Sequence, residues 1–256
     1  MVASNSASRG RRLLEELVVR FVFCPPFPVV KFVSLLPPFR GSRLFVTTPA
    51  RAVALTLDDG PDAALTPLVL RVLEKYQAHA TFFLLGEAAE GNQRTVDAIV
   101  AGGHEIANHT CRDERSTSLT DDELRTSLAA THAVLTADER PASVRLFRPG
   151  GPPGWTGRMA RIARELPHNY TTVLASIYPH DVRIETDDVI VRGVLRRVRP
   201  GGIIALHEGV TPPRQPDRQR VVDMLEEILR TLQARSYDVV TASKLLSLER
   251  RTGAPR

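Results

Sequence analysis

Thr56-Leu57-Asp58-Asp59-Gly60-Pro61 ends the first sustained apolar run in the body of this chain, a run that starts at Ala52. Gly-Pro turns the backbone directly after two adjacent carboxylates. A strand that stops in Asp-Asp at a turn presents two acids at the rim of a sheet, where one can bind a metal and the other can move a proton. Adjacent like charges repel when partly buried, so a structural role alone seldom calls for them. Asp-Gly-Pro is also ordinary turn chemistry. The hexapeptide by itself leaves a plain loop open, and the surrounding chain decides.

Downstream, short apolar runs alternate with helical patterns. Strands are expected at 52–57, 80–84, 105–107, 144–147, 172–176, 203–206 and 237–240, and helices at 66–76, 93–101, 121–137, 157–166, 187–198 and 217–235. The helical spacing is clearest at Leu68, Val69, Val72 and Leu73, and again at Val221, Val222, Leu225, Ile228, Leu229 and Leu232. Thr120 with Glu123 three residues on is a capping box. The alternation predicts an α/β chain with a parallel sheet of about seven strands covered by helices. A doubly wound sheet and a (β/α) barrel both satisfy it. No glycine-rich phosphate loop follows the first strand, which counts against a dinucleotide-binding domain and favours the barrel.

In such barrels catalytic groups stand at the C-terminal ends of strands. Polar residues recur at that place: Asp58 and Asp59, then Asn108 and His109, then Arg148, then His180 and Asp181, then His207 and Glu208. Acids, imidazoles and a guanidinium at one end of five strands converge on a single pocket. Asp59 and His109 suit a divalent cation, and Asp113, four residues after His109, is a third candidate ligand. Three protein ligands with open positions describe a catalytic metal site. Asp58 is then the candidate base, with Arg148 as its partner, and His207 the candidate acid, oriented by Asp181. The chemistry that fits is metal-assisted hydrolysis of an amide or ester.

The same residues resemble the polysaccharide deacetylases, the NodB-homology proteins of carbohydrate esterase family 4. The first motif is Thr56-Leu57-Asp58-Asp59-Gly60-Pro61. Ala80-Thr81-Phe82-Phe83 and Gly103-His104-Glu105-Ile106-Ala107-Asn108-His109-Thr110 follow in the family's order, then Phe147-Arg148-Pro149-Gly150, Asp181 and Leu206-His207-Glu208. The likeness runs from about residue 53 to 246. It implies a distorted (β/α) barrel that removes N-acetyl or O-acetyl groups from a polysaccharide, chitin-like or another N-acetylglucosamine polymer. It also implies a divalent metal, zinc first, with manganese, cobalt or iron as alternatives. By that resemblance Asp58 is the base, Asp59 and His109 are metal ligands, Arg148 tunes the base, and Asp181 with His207 form the acid pair. Leu206, Pro149 and Trp155 are expected around the acetyl group and the sugar.

This chain departs from the family pattern at four places. Asp113 stands where a second metal-binding histidine is usual, giving a harder and more anionic donor set. Gly150-Gly151 replaces an aromatic, for which Trp155 is the candidate substitute. Glu208 replaces Asp, and the stretch Tyr178-Pro179-His180-Asp181-Val182 lacks the usual tryptophan. Two alternatives therefore stay open: a catalytically impaired carbohydrate-binding barrel, and an amidase acting on a small nitrogen compound.

Composition narrows the partners. The 256 residues suit one domain, and the net charge of +5 comes from dispersed arginine with few aromatics, which argues against a nucleic-acid face. Residues 49–250 read as the deacetylase domain and 251–256 as a flexible tail. Residues 1–48 read as an N-terminal arm, partly disordered or packed on the domain, with peripheral membrane contact as the second reading. Charged residues and prolines interrupt the arm's apolar stretches, so neither a clean signal peptide nor a spanning helix is legible. Cys24 and Cys111 are too few for a disulfide framework. His104 reads as structural, and His79, His132 and His168 read as surface residues.

Overall fold

The computed structural model describes residues 39, 41–137, 140, 143–151, 156–179, 187–208 and 218–249. Eight strands form one sheet: β1 (Ser42–Arg43), β2 (Ala52–Gly60), β3 (Ala80–Leu84), β4 (Glu105–Asn108), β5 (Leu146–Phe147), β6 (Thr171–Val173), β7 (Ile203–His207) and β8 (Asp238–Val240). Their order is β1-β6-β5-β4-β3-β2-β7, with β8 beside the start of β2, and all of these pairings are parallel. Past β6 the chain pairs once more, Ile177 against Ile204 of β7. That bridge carries the β6 side of the sheet round to β7, so the strands enclose an interior. This is the distorted (β/α) barrel.

Helices cover the outside: α1 (Thr66–Lys75), α2 (Gly86–Glu90), α3 (Gln93–Ala101), α4 (Asp121–Leu135), α5 (Thr156–Glu165), α6 (Asp187–Arg197), α7 (Arg218–Ala234) and α8 (Ala242–Ser247). The Thr120–Glu123 capping box starts α4 with both reciprocal bonds made. β1, α2 and α8 are the elements that sequence periodicity does not reveal, because each is too short to complete a pattern. None of the described helices is long and apolar enough to cross a membrane.

Strand alternation sorts side chains into two compartments. Val53, Leu55 and Leu57 of β2 face the helices and join the large core with Val69, Leu73, Ile228 and Leu232. Ala52 and Ala54 face the interior with Phe83, Ala107, Leu146, Val173 and Ile203. Ala242 and Leu245 of α8 close that interior cluster at the N-terminal end of the strands, where Thr81 Oγ1 accepts a 2.7 Å bond from the Ala242 N–H. Above Ala54 the same face of β2 carries Thr56 and Asp58. The interior therefore changes from apolar to polar toward the C-terminal rim.

Three histidines make contacts that the sequence leaves invisible. His104 Nδ1 accepts from the Ala80 N–H at 3.3 Å and lies against Phe82 and His79. His132 is stacked on His168, ring centroids 3.3 Å apart, and its Nδ1 is 2.7 Å from Tyr170 Oη.

Two predictions follow from this packing. Gly201 has φ +82°, and a Cβ there would lie 1.8 Å from the carbonyl oxygen of Val46, whose own N–H is tied to the Gly201 carbonyl at 2.8 Å. Gly201→Ala is expected to cost about 2–4 kcal/mol from left-handed strain and overpacking; an unchanged urea midpoint would reject this account. Burial, then the charge of His79, pushes His104 from 6.5 down to about 4. The unfolded chain therefore takes up this proton first as pH falls, and stability drains between about pH 6.5 and 4. His104→Gln should flatten the acid dependence of the unfolding midpoint across that window.

Candidate active site

Hydrogen bonds between neighbouring strand ends align the rim. Leu85 N–H donates to Gly60 at 3.0 Å, His109 to Leu84 at 3.0 Å, Arg148 to Asn108 at 3.0 Å and Glu208 to Asp58 at 3.1 Å. The ends of β2, β3, β4, β5 and β7 are thereby held in one plane, with Asp58 in register with Phe83 on one side and His207 on the other.

Arg148 lies at the centre. Its Nη1 donates to Asp58 Oδ1 at 2.6 Å and to Thr56 Oγ1 at 2.7 Å, and its Nε donates to the Val173 carbonyl at 3.1 Å. Both ion-pair side chains are almost fully enclosed, 6% and 3% exposed. Nη2 makes no hydrogen bond. The guanidinium carbon stands 4.1 Å from the centroid of the Phe83 ring, whose negative face offsets part of that lack. Thr56 in turn donates to the Ile204 carbonyl at 2.8 Å, which fixes its acceptor lone pairs toward Arg148.

Asp59 and His109 form a second pair. Asp59 has φ 70°, a left-handed conformation that Asp tolerates, and this swings its carboxylate away from that of Asp58. His109 Nδ1–H donates to the Arg148 carbonyl at 2.8 Å, which turns Nε2 to Asp59 Oδ1 at 3.2 Å; protonated, Nε2–H donates to that carboxylate, and neutral, Nε2 is a bare donor for a cation. Burial pulls His109 down, but the Asp59 hydrogen bond, the charges of Asp58 and Asp59 and the Arg148 carbonyl carry it above its ordinary value. Burial alone would raise Asp59; His109, by hydrogen bond and charge, with His207 and Arg148, holds it low instead.

A carboxylate and an imidazole nitrogen aimed at one point are two donors of the kind a divalent cation takes. Asp113 is exposed on the loop after β4, and no three His, Cys, Asp or Glu side chains among the described residues close around a common point. The structure thus brings Asp58, Asp59, His109, Arg148 and His207 together and leaves Asp113 outside that group. Pro149 follows Arg148 at the rim. Leu206 lies in the core under the helices, on the strand face opposite His207. Trp155 and Asp181 lie outside the described residues.

The surroundings bring in residues that the sequence names without giving them a role. Thr56 could have been found by parity, two positions before Asp58 on the same strand face. Tyr178 had no such signal; its hydroxyl is 3.1 Å from His207 Nε2. Glu208 turns beneath Gly60, where a Cβ would meet its Oε1 at 2.0 Å. Burial, with the charges of Asp62, Asp59 and Asp58, pushes Glu208 up to about 8. The Thr66 hydroxyl is close enough to offset some of that rise, although neither Glu208 oxygen has a hydrogen bond of normal geometry. Glu208 is thus held largely protonated at neutral pH, which spares the Asp58–Asp59 rim most of a third negative charge.

Comparison with known proteins agrees with this geometry. The family profile described as polysaccharide deacetylase matches residues 45–171. A peptidoglycan-N-acetylglucosamine deacetylase of Bacillus cereus is 33% identical over 199 residues, spanning 77% of this chain and 88% of that protein. A chitooligosaccharide deacetylase of Sinorhizobium fredii is 35% identical over 197 residues, spanning 74% and 89%. Among solved structures, a mutant of BA3943, described as a CE4 family pseudoenzyme with restored enzymatic activity, superposes with a TM-score of 0.70 at 26% identity, covering 81% of this chain and 72% of that one.

Arg148→Met tests the central ion pair. It leaves Asp58 buried without its cation and is expected to lower unfolding free energy by about 3–5 kcal/mol. Arg148→Met with Asp58→Leu should recover most of that loss, because the apolar pair leaves no buried charge. Equal melting temperatures for wild type and the single variant would contradict the assignment.

Proposed function

Because this chain belongs to the polysaccharide deacetylase family, we propose that it removes N-acetyl, or O-acetyl, groups from an N-acetylglucosamine polymer such as chitin or peptidoglycan, using a divalent metal, zinc by preference. As a member it is a hydrolase of carbon–nitrogen bonds other than peptide bonds, and the family's deacetylases are metal-dependent. The observation that carries the finer reading is the buried Arg148–Asp58 pair beside the Asp59–His109 pair at one strand rim.

Asp59 and His109 would hold the cation, with Asp113 as the third donor by its place in the motif. A bound cation polarises the acetyl carbonyl and brings the pKa of water toward neutrality. Asp58 takes the proton from the attacking water, and Arg148 keeps that carboxylate oriented through Oδ1 while Oδ2 stays available. His207, next to Asp58 across the β2–β7 register, supplies the proton that leaves with the sugar nitrogen. The carbon–nitrogen bond breaks, a carbon–oxygen bond forms, and acetate and a free amine result. Asp181 is assigned to orient His207, and Pro149 with Trp155 to border the sugar.

The exposure of Asp113 favours a second reading, a barrel that binds carbohydrate with little turnover, as the pseudoenzyme likeness also suggests. One experiment separates the two. Acetate release from chitin oligomers and peptidoglycan is measured with added zinc, cobalt or manganese for wild type, Asp58→Asn and Asp113→His, alongside calorimetric metal titration. The deacetylase reading expects an active wild type, a loss of roughly 10²–10⁴ in kcat for Asp58→Asn, and metal binding that Asp59→Ala abolishes. An inactive wild type with an active Asp113→His variant establishes the impaired barrel instead.

A further inference from the structure

The deacetylase reading gives His207 the last proton transfer, yet His207 is only 7% exposed. Its Nε2 faces a hydroxyl, through which a proton leaving that nitrogen can pass. Tyr178, by contrast, is partly exposed. The Ile177–Ile204 bridge holds the loop after β6 against β7, and this brings the Tyr178 hydroxyl to 3.1 Å from His207 Nε2. The two rings meet edge to face at 78°, centroids 5.4 Å apart, which fixes the tyrosine over the nitrogen that has to deliver the proton.

We infer that Tyr178 is a further catalytic residue: its hydroxyl touches the leaving nitrogen and relays the proton of His207 to it. This rests on the deacetylase reading. A hydroxyl both donates and accepts, so it can bridge a charged imidazole and an amine at once. In the step, the His207 Nε2–H bond breaks as a new Oη–H bond forms. The original Oη–H proton passes to the sugar nitrogen, which takes the electron pair of the cleaving carbon–nitrogen bond. Tyr178 ends as it began and His207 ends neutral.

Tyr178→Phe keeps the ring contact and removes the relay. With chitin oligomers and added zinc, kcat is expected to fall roughly tenfold to hundredfold, in the lower range of general-acid effects, with KM little changed. Rates in H₂O–D₂O mixtures should show a curved, two-proton inventory for wild type and a linear one for the variant, a change that a merely structural role would not produce. Independently of turnover, ¹⁵N resonances of wild-type His207 should show Nε2 hydrogen-bonded, and the variant should lose that signature. An active wild type matched by Tyr178→Phe in kcat and inventory overturns the relay alone, as does a wild-type Nε2 with no hydrogen bond. A wild type that releases no acetate overturns the deacetylase reading and the relay with it.

Discussion

A guanidinium enclosed by protein has to be neutralised and hydrogen-bonded, and the groups that do so are then held in place by it. Arg148 reaches from the end of β5 under the rim to Asp58 and Thr56 on β2 and to the Val173 carbonyl on β6. One side chain therefore ties three strands across the interior. Its backbone takes part as well, since the Arg148 carbonyl receives the His109 Nδ1 proton and leaves Nε2 turned to Asp59. Asp58 and the Asp59–His109 pair depend on the same residue, the first through its side chain and the second through its main chain.

The layering below the rim explains why this arrangement is tolerated. Alanines at 52 and 54 leave the interior narrow at the lower end, where α8 closes it. The apolar cluster there offers the rim's polar groups no partner, and they hydrogen-bond to one another. Glu208 shows the same economy of charge. Placed under Gly60 with its carboxyl pushed up to about 8, it stays largely protonated beside two carboxylates whose repulsion a third anion would worsen.

Much of this was legible from residue order. The β2, β3, β4 and β7 runs were read within a few residues because they are long and buried on both faces, and α3 was read to its ends because its apolar spacing is regular. β5 and β6 were read too long, since Val144 and Leu174 have apolar side chains that suit a strand but lie outside the ladders. The convergence of Asp58, Asp59, His109, Arg148 and His207 followed from their places after successive strands. Asp113 stands exposed on the loop after β4. A spacing of four residues says that a carboxylate lies nearby along the chain, and in a loop it does not say which way that carboxylate points.

The sequence by itself determined the α/β alternation, the strand ends that carry the polar residues, and the family, because periodicity and motif order are properties of the chain alone. Tertiary structure decided which of those residues meet. The Ile177–Ile204 bridge sets Tyr178 against His207, strand parity puts Leu206 behind the sheet and Thr56 beneath Asp58, and burial pushes the Glu208 carboxyl up. Each of these depends on distances between segments far apart in sequence and on the local absence of water, neither of which is written in residue order.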